Sequence, residues 1–217
     1  MKASLSGFLS NMLSVILGIF ITFGIQGIID RSRERNNTRS SLELVRSELS
    51  TNIDDISIIV DYLKQERKSA EYMLAHRDSL DKCPVDSINF HSSMIFADVS
   101  FSLCHDALEL LKMSSVFQNI ESNGLSMKII RAYDTCNSIV YNLNRHISSR
   151  DSRFENSIDK ETAGIYALNG NIDIKDFIKT DYGLYSVQWL TAQADPELFT
   201  DVSDIQDAID AIDSYLR

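Results

Sequence analysis

The residues with the most chemical potential in this sequence are few and scattered. Cys104-His105-Asp106 sets a thiol, an imidazole and a carboxylate side by side. Zinc sites space their cysteines or histidines about two to five apart, so three adjacent donors do not make a ligand set. His91 and Cys136 can join them only through folding. A Cys–His nucleophile pair meets the same objection, because neighbours on a helix point in different directions. Asn169, Asn171 and Asp173 match the first, third and fifth positions of an EF-hand-like calcium frame. Ile174 then stands where the turn needs glycine, and Thr180 where a bidentate glutamate belongs. Gly-rich phosphate loops, H-E-x-x-H and G-x-S-x-G motifs are all missing. The expectation is a protein that is not an enzyme, with no catalytic residue, no metal ligand and no cofactor.

Composition narrows the partners. The 217 residues carry 21 Lys+Arg against 31 Asp+Glu, a net charge of -10. Phosphate contact needs a basic surface, so no nucleic acid is expected. The acidity is uneven: residues 151–217 hold 14 Asp+Glu and 5 Lys+Arg, whereas residues 1–150 hold 17 and 16. Three scattered cysteines do not form a disulfide framework and agree with a reducing compartment.

The first thirty residues depart from the average. From Ala3 to Ile29 there is no charged residue, and 14 of the 22 residues from Phe8 to Ile29 are Phe, Leu, Ile, Val or Met. At about 1.5 Å per residue this stretch reaches about 33 Å, enough for a hydrocarbon core of about 30 Å. A cleaved signal peptide would have a shorter apolar region and a small-residue cleavage site; Ile25-Gln26-Gly27-Ile28-Ile29 instead keeps branched residues up to the charged exit. A buried helix of a soluble protein is the other rival, since Ser10, Asn11, Ser14 and Gln26 dilute the run. The reading adopted is an uncleaved single span with the lipid bilayer as first partner. Lys2 precedes it, and Arg31, Arg33, Arg35 and Arg39 follow. That bias places the C-terminal part in the cytoplasm.

Within the span, Ser10, Ser14, Gly18, Thr22 and Gln26 fall four residues apart. Small residues at this spacing let helices approach closely, and hydroxyl or amide groups hydrogen-bond across the contact. A homo-oligomer through this ridge and the juxtamembrane helix, or a span that stays monomeric, both remain open.

Beyond the membrane the pattern is helical. Leu42, Val45, Leu49, Ile53, Ile56, Val60 and Leu63 recur every three or four residues, an amphipathic stripe that predicts a helix from Arg39 to about Asp81, continuous with the span. Cys83-Pro84 should break it, with residues 82–92 as a loop. A second helix is expected from about Met94 to Met113, and a third from about Leu125 to Ser148, enough for a bundle. Asn169-Gly170 fits a hairpin turn or, preferably in so helical a chain, a loop. Short helices should follow over 174–179 and 182–194. Asp195 and Pro196 then open a last helix. Its stripe of Leu198, Val202, Ile205, Ile209, Ile212 and Leu216 seeks a core or a partner helix. Asp201, Asp204, Asp207, Asp210 and Asp213 line its flank as a solvated face, or as an acidic docking face for a basic partner.

The order of features resembles a known group. A span containing Leu17-Gly18 and an Arg-rich exit come first. Leu44-Val45, Glu48-Leu49-x-x-Asn52, Leu110-Leu111, Ser114-Ser115, Ile120 and the Leu125–Tyr133 helix follow. This is similar to a broad group of uncharacterised bacterial single-span inner-membrane proteins with a helical domain after the N-terminal span. The similarity covers roughly residues 10–145. It departs at the membrane exit, where Ile28-Ile29-Asp30 stands in place of a Trp-containing stretch. The resemblance implies topology and neither an enzyme activity nor a cofactor.

The expected architecture is therefore mainly α: an N-terminal tail and transmembrane helix (1–30), a long juxtamembrane helix with a helical bundle (31–150), and an acidic helical segment (151–217). The expected function is a membrane-tethered interaction or scaffold protein of the bacterial inner membrane, docking a protein partner whose identity the pattern does not give. The alternative is a single-span sensor or regulatory subunit.

Overall fold

A computed structural model describes the backbone of residues 2–97, 99–113, 117, 120, 123–157, 174–193 and 201–217. Within these ranges, side chains are described at Gln26 and from Asp30 onward, apart from 123, 155–157 and 193. The described residues are mainly α-helical, as the sequence pattern requires.

One helix dominates. α1 runs without interruption over Lys2–Ala75, 74 residues, or about 110 Å at the α-helical rise. The uncharged run, the arginine-rich exit and the amphipathic stripe are thus parts of a single rod. Its side chains are exposed from Asp30 to Asn37; among the described side chains of α1 Thr38 is the first that is buried, and Leu42, Val45 and Leu49 follow at the same phase. The remaining described helices are α2 (Val85–Ile95), α3 (Asp106–Met113), α4 (Asn123–Ser157), α5 (Ile174–Phe177), α6 (Asp181–Gln193) and α7 (Ser203–Leu216).

They pack on α1 around two apolar cores. The first joins Leu42, Val45, Leu49, Ile56 and Leu63 of α1 to Leu108 and Leu111 of α3, Leu125 to Leu143 of α4, and Ile205, Ala208, Ile209 and Ile212 of α7. The second gathers Ala70 and Met73 from the end of α1, Leu80, Ile88, Ile95, Phe154, and Ile174, Phe177, Val187 and Leu190 of α5 and α6. The acidic C-terminal region therefore contributes helices to both cores.

Five expectations are corrected. The long helix ends at Ala75 and passes into a 3-10 turn, Arg77–Lys82. The expected loop over 82–92 is largely helix: Pro84 ends one element and starts the next. Its fixed φ of -56° suits a helix start, and the missing N–H has no partner to lose there. Of the expected helix from Met94 to Met113, only Met94 and Ile95 at the end of α2 and the residues of α3 are helical, because residues 96, 97 and 99–105 are not. The third helix is longer than expected and spans 123–157. The last one starts later: Asp201 and Val202 are non-helical, and Asp201 accepts the Ser203 N–H at 3.1 Å as α7 begins. Asp195, Pro196 and Leu198, the Asn169-Gly170 turn and the Ser114-Ser115 pair lie outside the described residues.

Candidate functional site

Two polar constellations interrupt the apolar interior. The deeper one stands between the two cores. Glu66 of α1, 0% exposed, receives Arg150 Nη1 at 2.9 Å on one oxygen and His146 Nε2 at 3.2 Å on the other. Arg150 is 2% exposed and spreads its remaining donors to Tyr62 Oη (3.2 Å), the Ala97 carbonyl (2.7 Å) and Asp151 (2.9 Å). Burial opposes the Arg150 charge, but the Glu66 and Asp151 carboxylates outweigh it and hold its pKa above the ordinary value. His146 stacks on Trp189 of α6, with ring centroids 5.2 Å apart, and the Arg153 guanidinium lies 4.8 Å from the centroid of the Trp189 ring. Five segments thus meet here: α1, the 96–105 segment through Ala97, α4, α6 and, through the Tyr62 hydroxyl 3.4 Å from the Met94 carbonyl, α2. Both Glu66 oxygens are occupied from within, so the carboxylate joins helices and presents nothing to a substrate.

The second constellation fastens the 96–105 segment and α3 to α1. The Asn52 amide pairs with the Cys104 backbone in both directions, Nδ2 to the carbonyl at 2.8 Å and Oδ1 from the N–H at 2.9 Å. Glu48 accepts the Ala107 N–H at 2.9 Å, near the positive end of α3, and the Tyr133 hydroxyl on its other oxygen. Burial, then the bond to Glu48, raises the Tyr133 pKa, so this phenol stays a donor. Glu48 and Asn52 belong to the Glu48-Leu49-x-x-Asn52 pattern noted in the sequence, and these bonds give them a fastening role. Beside them opens a cavity of about 320 Å³ lined by Leu44, Glu48, Thr51, Cys104, Ala107 and Leu110 among others. Leu44, Leu110 and neighbouring Met113 are exposed, the last at 85%.

The residues expected from the sequence distribute as follows. Ser10, Ser14, Gly18, Thr22 and Gln26 lie on α1; only the Gln26 side chain is described, and it is exposed. Leu198 is outside the described residues. Ile205, Ile209 and Ile212 are buried in the first core, with Val202 and Leu216 packed against it, so the described stripe is core. Of the flanking aspartates, Asp213 pairs with Arg46 of α1 and Asp204 with Thr135 of α4 at 3.2 Å. Folding brings Cys136 and the Cys104 backbone to a shared neighbour, since Asn52 Nδ2 also lies 3.8 Å from Cys136 Sγ. His91 goes elsewhere: it stacks on Tyr72 at 4.0 Å with Nδ1 3.0 Å from Ser69 Oγ. Among the described residues no group of three or more His, Cys, Asp or Glu is arranged to hold a metal ion.

The three thiols differ in a way that labelling reads directly. Cys104 is exposed and Cys136 buried, with burial pushing the Cys136 thiol up to about 11. At pH 8 a maleimide should modify Cys104 readily and leave Cys136 intact until the chain is unfolded. Rapid modification of Cys136 in the folded protein would contradict its placement beneath Asn52.

His91 carries a pH dependence. Burial, then the nearby His76, lowers its pKa below the unfolded value of about 6.5. The unfolded chain therefore takes up this proton first as pH falls. The stabilisation is complete above about pH 6.5 and is lost as pH falls towards and through the folded pKa. His91→Gln should make the denaturation midpoint less sensitive to acid over that interval; an unchanged acid slope would remove His91 from the account.

Among the described residues no helix is long and apolar enough to cross a membrane; the uncharged run lies outside them, apart from Gln26, as far as its side chains are concerned. No protein-family model, curated protein or solved structure matches this chain.

Proposed function

We propose that this chain is a membrane-tethered helical interaction or scaffold protein without catalytic activity, anchored in a bacterial inner membrane by residues of the first thirty and docking a protein partner from the cytoplasmic side. One observation carries the reading: the uncharged apolar run and the main core helix of the body are one uninterrupted helix, α1 over Lys2–Ala75. A rod of this kind fixes the body at a set height and direction from the bilayer. Supporting it, the buried Asn52, Glu66, His146 and Arg150 are spent on joining elements of the body, while Leu44, Leu110 and Met113 leave an apolar rim beside the open cavity for a docking partner.

The same continuity favours a second reading, a sensor or regulatory subunit in which the span moves the body through α1. Transmission of that kind needs an element with two arrangements. Photo-crosslinking from position 110 in the full-length chain in cells separates the readings. Docking predicts one discrete protein adduct of constant yield that disappears when the span is removed from the bilayer. An adduct that comes and goes with a stimulus favours the relay, and the absence of any adduct counts against docking at this rim.

A further inference from the structure

We propose that Arg31, Arg33 and Arg35 hold the phosphate headgroups of anionic phospholipids around α1, a binding layer that sets the height of the body above the bilayer. The proposal rests on the span reading. Because α1 does not break between Ile29 and Leu42, the helical rise fixes the depth of each residue. Arg31, Arg33 and Arg35 lie about 3, 6 and 9 Å beyond Ile29 along the axis. The headgroup layer on each side of the hydrocarbon core is about 5–8 Å thick, so Arg31 and Arg33 lie within it, and Arg35, just beyond, reaches back into it because helical side chains tilt towards the N-terminus and a long arginine stem spans the gap. Arg39, about 15 Å out, is past it, and its guanidinium is already paired with Glu43 at 3.0 Å.

The three inner arginines are exposed, and among the described residues no salt bridge engages them. Asp30 and Glu34 are exposed on the same stretch and leave the balance of 30–35 positive. Their arrangement selects the occupant. At about 100° per residue Arg31 and Arg35 share one side, while Arg33 points about 160° away from Arg31. A protein groove contacts one side of a helix, whereas lipid headgroups surround it. Guanidinium groups suit this ligand because they bind phosphate oxygens in bidentate fashion.

The rest of the chain strengthens the assignment. Residues 40–217 carry 16 Lys+Arg and 29 Asp+Glu, so an anionic surface repels the body while it attracts the stalk. The exposed stretch 30–37 then acts as a spacer with its base held and its far end pushed away.

The test uses the full-length chain in vesicles of phosphatidylcholine mixed with phosphatidylglycerol, with trace spin-labelled lipid of either kind. Electron paramagnetic resonance reads the lipid slowed by the protein. The expected result is a preference of about fivefold for phosphatidylglycerol, as one engaged charge at the surface gives. It should fall towards none at high salt and in the triple variant Arg31→Gln, Arg33→Gln, Arg35→Gln, and persist in Arg39→Gln. A slowed lipid population with no preference for phosphatidylglycerol overturns this proposal alone. A complete absence of slowed lipid overturns the span and the proposal with it. The salt series on the unmodified chain decides the matter even where the triple variant fails to insert.

Discussion

Replacing Arg150 by methionine lowers the stability of the helical body by about 3–5 kcal/mol, the scale for removing one partner of a buried ion pair. Glu66 is 0% exposed and would keep only His146 as a charge-stabilising neighbour. The loss extends beyond Glu66, since the Ala97 carbonyl and the Tyr62 hydroxyl also give up a donor. Lysine does not rescue the site. It offers one point charge where the planar guanidinium reaches Glu66, Asp151, Tyr62 and Ala97 in four directions. The double variant Glu66→Leu, Arg150→Met recovers most of the loss, because it removes the uncompensated charge together with its partner. Chemical denaturation of the full chain in nanodiscs, followed by Trp189 fluorescence, measures all four members of the cycle. A single-variant cost below about 1 kcal/mol, or a double variant that costs the sum of the singles, would show that this layer does not hold the two cores together.

The second large effect concerns the first thirty residues. Ile16→Asp with Ile19→Asp puts two carboxylates near the centre of the proposed span, at about 2.5–3.5 kcal/mol each on insertion scales. A total of about 5–7 kcal/mol is enough to keep the segment out of the bilayer. The unmodified chain should stay with the membrane pellet through alkaline carbonate extraction, and the variant should appear in the supernatant or be degraded. Release of the unmodified chain by carbonate would favour the rival reading of a buried helix in a soluble body.

Much of α1 was legible because its chemistry is local. Leu42, Val45, Leu49, Ile56, Val60 and Leu63 keep one helical phase, and all are buried. Ile205, Ile209 and Ile212 do the same in α7. The 96–105 segment was not legible, although its apolar residues resemble a helix face. Its backbone groups are taken by side chains far away in sequence: Asn52 for Cys104, Asn144 for the Phe101 carbonyl, Arg150 for Ala97. Those tertiary bonds compensate for the missing helical ones, and no window of sequence contains both partners. Pro84 both stops one helical element and opens the next, because it stands as the N-cap immediately before Val85, where its missing N–H costs nothing.

The buried polar layer leaves a trace in the sequence. Glu66 falls three residues after Leu63 and four before Ala70, in phase with the apolar stripe of α1. His146 and Arg150 fall three and seven residues after Leu143, in phase with that of α4. A charge on the apolar face of one helix and an opposite charge on the apolar face of another is the pattern that points to a buried pair. Which helices face each other, and at what register, is decided by the packing of both cores, so the pairing itself becomes visible only in three dimensions.

The central claim is a helical body carried on the cytoplasmic face by a span that continues into its own core helix. The most direct measurement fuses a fluorescent protein or alkaline phosphatase after Arg217 of the full-length chain in a bacterial host. Four arginines after the apolar run against Lys2 before it predict bright fluorescence at the membrane and no phosphatase activity. Active phosphatase with dark fluorescence would put the body on the opposite face and contradict the account.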